Sequence, residues 1–264
     1  MSPAKKRQRS YDSAKIRAAV TAQLGHVRDA VRELSPEDLA RPTRLGDWTV
    51  RELVAHFAMA VDHVPDGLER PAAPKQEVQL VEWPFAPAVY AASVDEYVRA
   101  LAAEHDPVAL LDRAAERYAA LVPGAADDRL VAVRRPGAMR LVDLLVTRCL
   151  ELVVHTDDLA DALGKELPIE RQALAATVRL LADSLATKAP GGSVEVRIPP
   201  YAVVQCVEGP RHTRGTPPNV VETAPLTWVR LATGRAEWAV ERENATVSAS
   251  GERADLGPYL PVLS

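Results

Sequence analysis

A chain of 264 residues has room for one large or two ordinary domains, and two are expected. Hydrophobic residues at 47% and charged residues at 26% exclude a mainly disordered chain, while an aromatic content of 5% leaves Ala, Leu and Val to build the core. The formal net charge is −4, and the one concentrated basic patch, Lys5, Lys6, Arg7 and Arg9, is not followed by the aromatic–basic interleaving of a nucleic-acid groove, so no nucleic-acid partner is expected.

Residues 1–10 read as a solvated, disordered basic tail. Ser10, Tyr11, Asp12 and Ser13 follow it where a signal peptide would need an apolar run. No segment approaches the roughly 18 uncharged apolar residues that span a membrane. Cys149 and Cys206 are too few for a disulfide framework, so reduced thiols and a cytoplasmic location are expected.

From Asp12 to Leu34, apolar residues at Ile16, Val20, Leu24, Val27 and Val31 recur every three or four positions and predict an amphipathic helix. Thr49 and Glu52 form a capping-box pattern that opens a second helix, running to about Leu68 and carrying His56. Residues 71–93, with Pro71, Pro74, Pro84 and Pro87, read as a long loop, and helical periodicity returns from Ser93 to Val122 with a break near Asp106-Pro107. After a turn around Arg134–Gly137, Leu141 to Leu163 forms the most regular helix, with Gly164 as its C-cap signal. A further helix spans Glu170 to Leu185. Beyond Gly191-Gly192 the texture changes: Ser193–Ile198, Ala202–Val207, Asn219–Thr223 and Trp238–Ser248 carry strand patterns, Leu226–Thr233 a short helix, and Asp255–Leu263 a terminal amphipathic piece.

Two segments carry the candidate chemistry. Glu151 and His155, four apart on the strongest helix, point a carboxylate and an imidazole at one place. A histidine on a core face is more often a packed residue than a ligand, but a carboxylate between Leu150 and Leu152 costs several kcal/mol if buried without a partner. A metal ion completed by His56 from a neighbouring helix resolves that cost, and three protein ligands with an open position describe a catalytic site. The structural alternative is a buried Arg148–Glu151 ion pair. Asp157 or Asp158 can orient a ligand imidazole, although Asp158 also fits a surface charge. His63 shares the face of His56 as a reserve ligand, and Cys149 falls on another face. No Gly-x-Ser-x-Gly elbow or phosphate loop is present.

The segments Gly46–His56 and Glu151–Ala160 resemble the two signature stretches of the mycothiol-dependent maleylpyruvate isomerase family. Leu231–Arg235 and Ala249–Ala254 resemble the sterol-carrier-like domain fused to it in many members. The resemblance implies a DinB-like four-helix bundle, residues 11–168, followed by a small sterol-carrier-like α+β domain, residues 169–264. It further implies a divalent metal, usually zinc, on His56, Glu151 and His155, with the thiol of mycothiol as cosubstrate. Metal coordination favours the thiolate, which adds to an activated double bond or another electrophile. Addition, rotation and elimination give isomerisation; addition alone gives thiol transfer. Arg148, Asp158 and Arg235 are counted with the reaction's residues, Arg235 as an anion binder for a small substrate. One departure is Asp157, where the family commonly has an aromatic residue. A metal-dependent hydrolase using bound water, and a non-enzymatic lipid or small-molecule binder, stand as alternatives.

Overall fold

The computed structural model describes residues 9–133, 136–210 and 217–263. Nine helices and six strands are found among them: α1 Ser13–Arg32, α2 Pro36–Leu39, α3 Val50–Leu68, α4 Pro87–Glu104, α5 Pro107–Leu121, β1 Leu130–Val131, β2 Met139–Arg140, α6 Leu141–Leu163, α7 Arg171–Lys188, β3 Val194–Ile198, β4 Ala202–Cys206, β5 Val220–Thr223, α8 Pro225–Ala232, α9 Trp238–Glu243 and β6 Val247–Ser250. Helices α1, α3, α5 and α6 close a four-helix bundle in which α1 packs on α5 and α6, and α3 packs on the same two. Leu53, Leu145, Leu152 and Leu159 lie at its centre, fully buried. No described helix is long and apolar enough to cross a membrane.

The caps fall where the side chains dictate. The backbone N–H of Thr49 donates to the Glu52 carboxylate at 2.8 Å, which fixes the start of α3 two turns before His56. Gly164 takes φ 64° and closes α6 in the left-handed conformation that only glycine adopts without strain. Helix α7 is buried on more than one face, through Ala173, Ala176, Leu180, Leu181 and Leu185 among others, because it packs on α1 and α6 and also on β4 and α8. The small domain is a four-stranded sheet in the order β4-β3-β5-β6, antiparallel except for the parallel pair β3–β5, with Val196 opposite both Val204 and Val221. Val194, Val196 and Ile198 alternate inward along β3.

Four sequence expectations need correction or limits. The 71–93 segment is not all loop: Leu80–Phe85 is a 3-10 turn, and α4 begins at Pro87, since proline at the first helical position starts a helix rather than breaking one. Trp238–Ser248 is not one strand but helix α9 followed by β6; Ala-Val-Glu-Arg-Glu forms helix readily, and Thr246 closes it by donating to the Glu241 carbonyl. The terminal piece is a 3-10 turn at Gly257–Tyr259. Lys5, Lys6 and Arg7 lie outside the described residues, as do Arg134 and Arg135, whereas Arg9 is tied to Asp183 at 2.8 Å.

Gly67, in the last turn of α3, is where β1 meets the bundle: a Cβ there would lie 2.3 Å from Val131 Cγ1. Gly67→Ala is therefore expected to lower stability by about 1–3 kcal/mol despite alanine's better helix propensity, read as a shift in the denaturant midpoint.

Candidate metal centre

Neighbouring helices α3 and α6 bring His56, Glu151 and His155 together. Glu151 Oε2 lies 3.2 Å from His56 Nε2 and 3.3 Å from His155 Nε2. Ligand bonds of about 2.0–2.2 Å in a tetrahedral shell set neighbouring ligand atoms about 3.3 Å apart. The two edges that meet at Glu151 thus already have the length of a divalent-ion site, and all three ligand atoms lie within 4.8 Å of one another. His56 Nδ1 is buried without a hydrogen-bond partner, so Nε2, the atom turned to the site, is that ring's polar anchor. Among the described residues this is the one such His/Cys/Asp/Glu group. His63 is not part of it.

The rings are held by packing. Trp48 lies 5.3 Å from the His56 ring, and Phe57 meets the His155 ring edge-on at 6.1 Å. Burial opposes ionisation of Glu151, but the hydrogen bonds of His155 and His56, with the charge of Arg148, outweigh it and hold the carboxyl well below its ordinary range. Burial and the neighbouring His155 push His56 down, keeping it the neutral imidazole that a metal requires. His155 goes the other way: burial lowers it, and Asp158 and Glu151 more than compensate.

Behind His155 stands a charge network. Asp158, fully buried, accepts from His155 Nδ1 at 2.8 Å, from Arg44 Nε at 2.6 Å and from Arg235 at 2.9 and 3.1 Å. It is no surface charge. Asp157 pairs with Arg44 at 2.5 Å and with Arg230 at 2.6 Å. Arg230 on α8 and Arg235 just beyond it belong to the small domain, so the two aspartates fasten that domain to α6. The Arg235 guanidinium, which also lines the cavity, is engaged by Asp158 and the Thr233 carbonyl. Sequence reasoning passed over Arg44 and Arg230; the signal for Arg44 was its place two residues before the Gly46–His56 segment.

The buried Arg148–Glu151 ion pair is not formed. Arg148 turns to the Ala60 carbonyl and Thr147 instead, and lies 5.7 Å from the Trp83 ring centre. Cys149 is fully buried, and burial pushes its thiol far up, so it supplies no nucleophile. The triad opens on a cavity of about 890 Å³ whose walls include Trp48, Trp83, Val94, Leu101 and Leu110, mostly apolar with a few converging polar groups.

Residues 20–160 match the family model described as mycothiol maleylpyruvate isomerase N-terminal domain, and residues 170–262 match the one described as bacterial SCP ortholog. The chain belongs to the mycothiol maleylpyruvate isomerase family. Two solved structures share its fold: a mycothiol-dependent maleylpyruvate isomerase and a histidine-to-alanine mutant of that enzyme. Each has 14% sequence identity and a TM-score of 0.61, covering 93% of this chain and 95% of that one. No curated protein matches the chain in sequence. The DinB-like bundle and sterol-carrier-like domain expected from sequence are both present. Asp157, the departure from the family's motif, makes an ion pair to Arg44 within the bundle and one to Arg230 across the domain junction.

His63 lies on the cavity wall, and burial together with the nearby charge of Arg148 pushes it down to about 4 from an ordinary value of 6.5. Because the unfolded chain takes up this proton first, the stability it supports is present above about pH 6.5 and is lost as pH falls towards 4. Between pH 7 and 5 the wild type is expected to lose about 1–2 kcal/mol more than His63→Gln, the solvent of the cavity screening part of the shift. Denaturant midpoints of both proteins at the two pH values check this.

Proposed function

We propose that the chain is a divalent-metal-dependent enzyme that uses a low-molecular-weight thiol such as mycothiol to isomerise, or transfer the thiol to, a small electrophilic substrate. The convergence of His56, Glu151 and His155 at one wall of a large apolar cavity carries this reading. A bound divalent ion, zinc by the chemistry of two imidazoles and a carboxylate, would favour the thiolate of an incoming thiol at neutral pH. The chain's own residues supply the rest. Glu151 holds both rings in place through one oxygen; Asp158, clamped by Arg44 and Arg235, holds His155 Nδ1 and so turns Nε2 to the site. Trp48 and Trp83, with Val94 and Leu101 of α4, give the reacting groups an apolar wall.

Maleylpyruvate, named for the two structural relatives, is the first substrate to test. Its loss, followed by absorbance, is expected only when mycothiol is present, and is expected to stop on chelation and return with zinc. Turnover that needs the metal but no thiol, with water added to the product, would instead establish a metal-dependent hydrolase. The buried, reduced Cys149 and Cys206 fit the cytoplasmic location such a thiol pool requires.

A further inference from the structure

Arg148 is a buried charge that the metal centre leaves unused. It stands on α6 one turn before Glu151, is 4% exposed, and contributes to the cavity wall. The groups it hydrogen-bonds to are uncharged. Nε and Nη2 donate to Thr147 Oγ1 at 3.3 and 3.1 Å, and Nη1 donates to the Ala60 carbonyl at 2.8 Å. The Thr147 hydroxyl spends its own proton on the Leu144 carbonyl at 2.7 Å, which leaves its oxygen as an acceptor for the guanidinium. Trp83 packs against the group at 5.7 Å. The nearest carboxylate along the helix, Glu151, is turned to the two histidines.

Arg148 differs in this from the three arginines grouped behind His155. Arg44, Arg230 and Arg235 each close on an aspartate. Of the roughly five N–H donors of a guanidinium, three are engaged at Arg148, which leaves about two for a ligand. A buried cation with no carboxylate in contact is costly, and burial pulls its pKa down against the opposing charge of Glu151. Thr147, Ala60 and Trp83 hold the group in that costly state, pre-set in orientation.

We propose that Arg148 is a carboxylate-binding residue: the cavity accepts a small molecule that presents a carboxylate to the two free N–H groups of Arg148 and its reacting group to the metal centre. Arg148 and Glu151, three apart on one helix, both line the same cavity, so one small molecule can reach both. This rests on the metal-centre reading for the position of the reacting group, and on the geometry of Arg148 alone for the carboxylate.

The probes are 4-mercaptobutyrate and its amide, which differ only in charge, titrated calorimetrically into the purified full-length protein loaded with cobalt. The acid is expected to bind at least about tenfold more tightly than the amide, as a charge-assisted contact to a buried guanidinium should. Arg148→Gln is expected to bind both alike, and Arg148→Lys to keep part of the preference. Equal affinities in the wild type, no binding of either probe, or a preference that survives in Arg148→Gln would each overturn the proposal. If Arg148→Gln does not fold, the guanidinium nitrogen resonances of isotope-labelled wild type decide: they move with the acid and not the amide, or the proposal fails. The cobalt–sulfur charge-transfer band reports separately on the metal. An acid preference without the band contradicts the metal reading only; the band with equal affinities contradicts Arg148 only.

Discussion

Glu151→Gln is expected to leave the chain folded and to remove both metal binding and turnover. The substitution keeps the volume of the side chain on α6 but replaces the anionic oxygen that faces both His56 and His155 with a neutral amide. A divalent ion would then have two neutral imidazoles and no compensating charge. A ligand that binds only the folded state at a thousand times its dissociation constant stabilises that state by about 4 kcal/mol. Zinc should therefore raise the melting temperature of the wild type and leave that of Glu151→Gln where it was. Because a bound metal lowers the barrier by several kcal/mol, turnover should fall by about a thousandfold or more. A variant that still gains stability from zinc would show that the ion sits elsewhere.

Asp158→Ala is expected to be the most destabilising single change near the site. Asp158 is fully buried and receives Arg44, Arg235 and His155, so its removal leaves Arg235 without a carboxylate and Arg44 with Asp157 alone, and frees an imidazole. Breaking one side of a buried charge cluster costs about 3–5 kcal/mol. Loss of the group that orients a metal-ligating histidine lowers metal affinity by about 10–100-fold. Denaturant unfolding of the metal-free protein reads the first effect, and zinc competition with a chromophoric chelator reads the second. Adding Arg235→Ala to the same chain should restore part of the lost stability, since one stranded cation is then gone. Fully additive losses would mean that Asp158 and Arg235 act independently.

The parts of this molecule that rest on local periodicity were legible in its sequence. The apolar stripes of α1, α3 and α6, the Thr49–Glu52 cap and the Gly164 terminus depend on residues a few positions apart. The triad was legible because its hardest pair, Glu151 and His155, lies on one helix, and because an unpaired carboxylate among leucines asks for a partner. What was not legible depends on long-range pairing. The sequence favoured Arg148 as a partner for Glu151 because they are three residues apart, yet Ala60, from a different helix, holds it. Asp157 and Asp158 looked alike in sequence, and only the positions of Arg44, Arg230 and Arg235, between 73 and 114 residues away, separate their roles. Local alternation also misled at Trp238–Ser248, where the spacing of Trp238 and Val240 suits a strand but the residues between and after them favour a helix.

Metal analysis of the purified protein, by inductively coupled plasma mass spectrometry after dialysis against trace zinc, tests the central claim most directly. The wild type is expected to retain about one divalent ion per chain, and Glu151→Gln and His155→Ala to retain almost none. Equal metal content in all three proteins, whether high or negligible, would contradict a metal centre built from His56, Glu151 and His155.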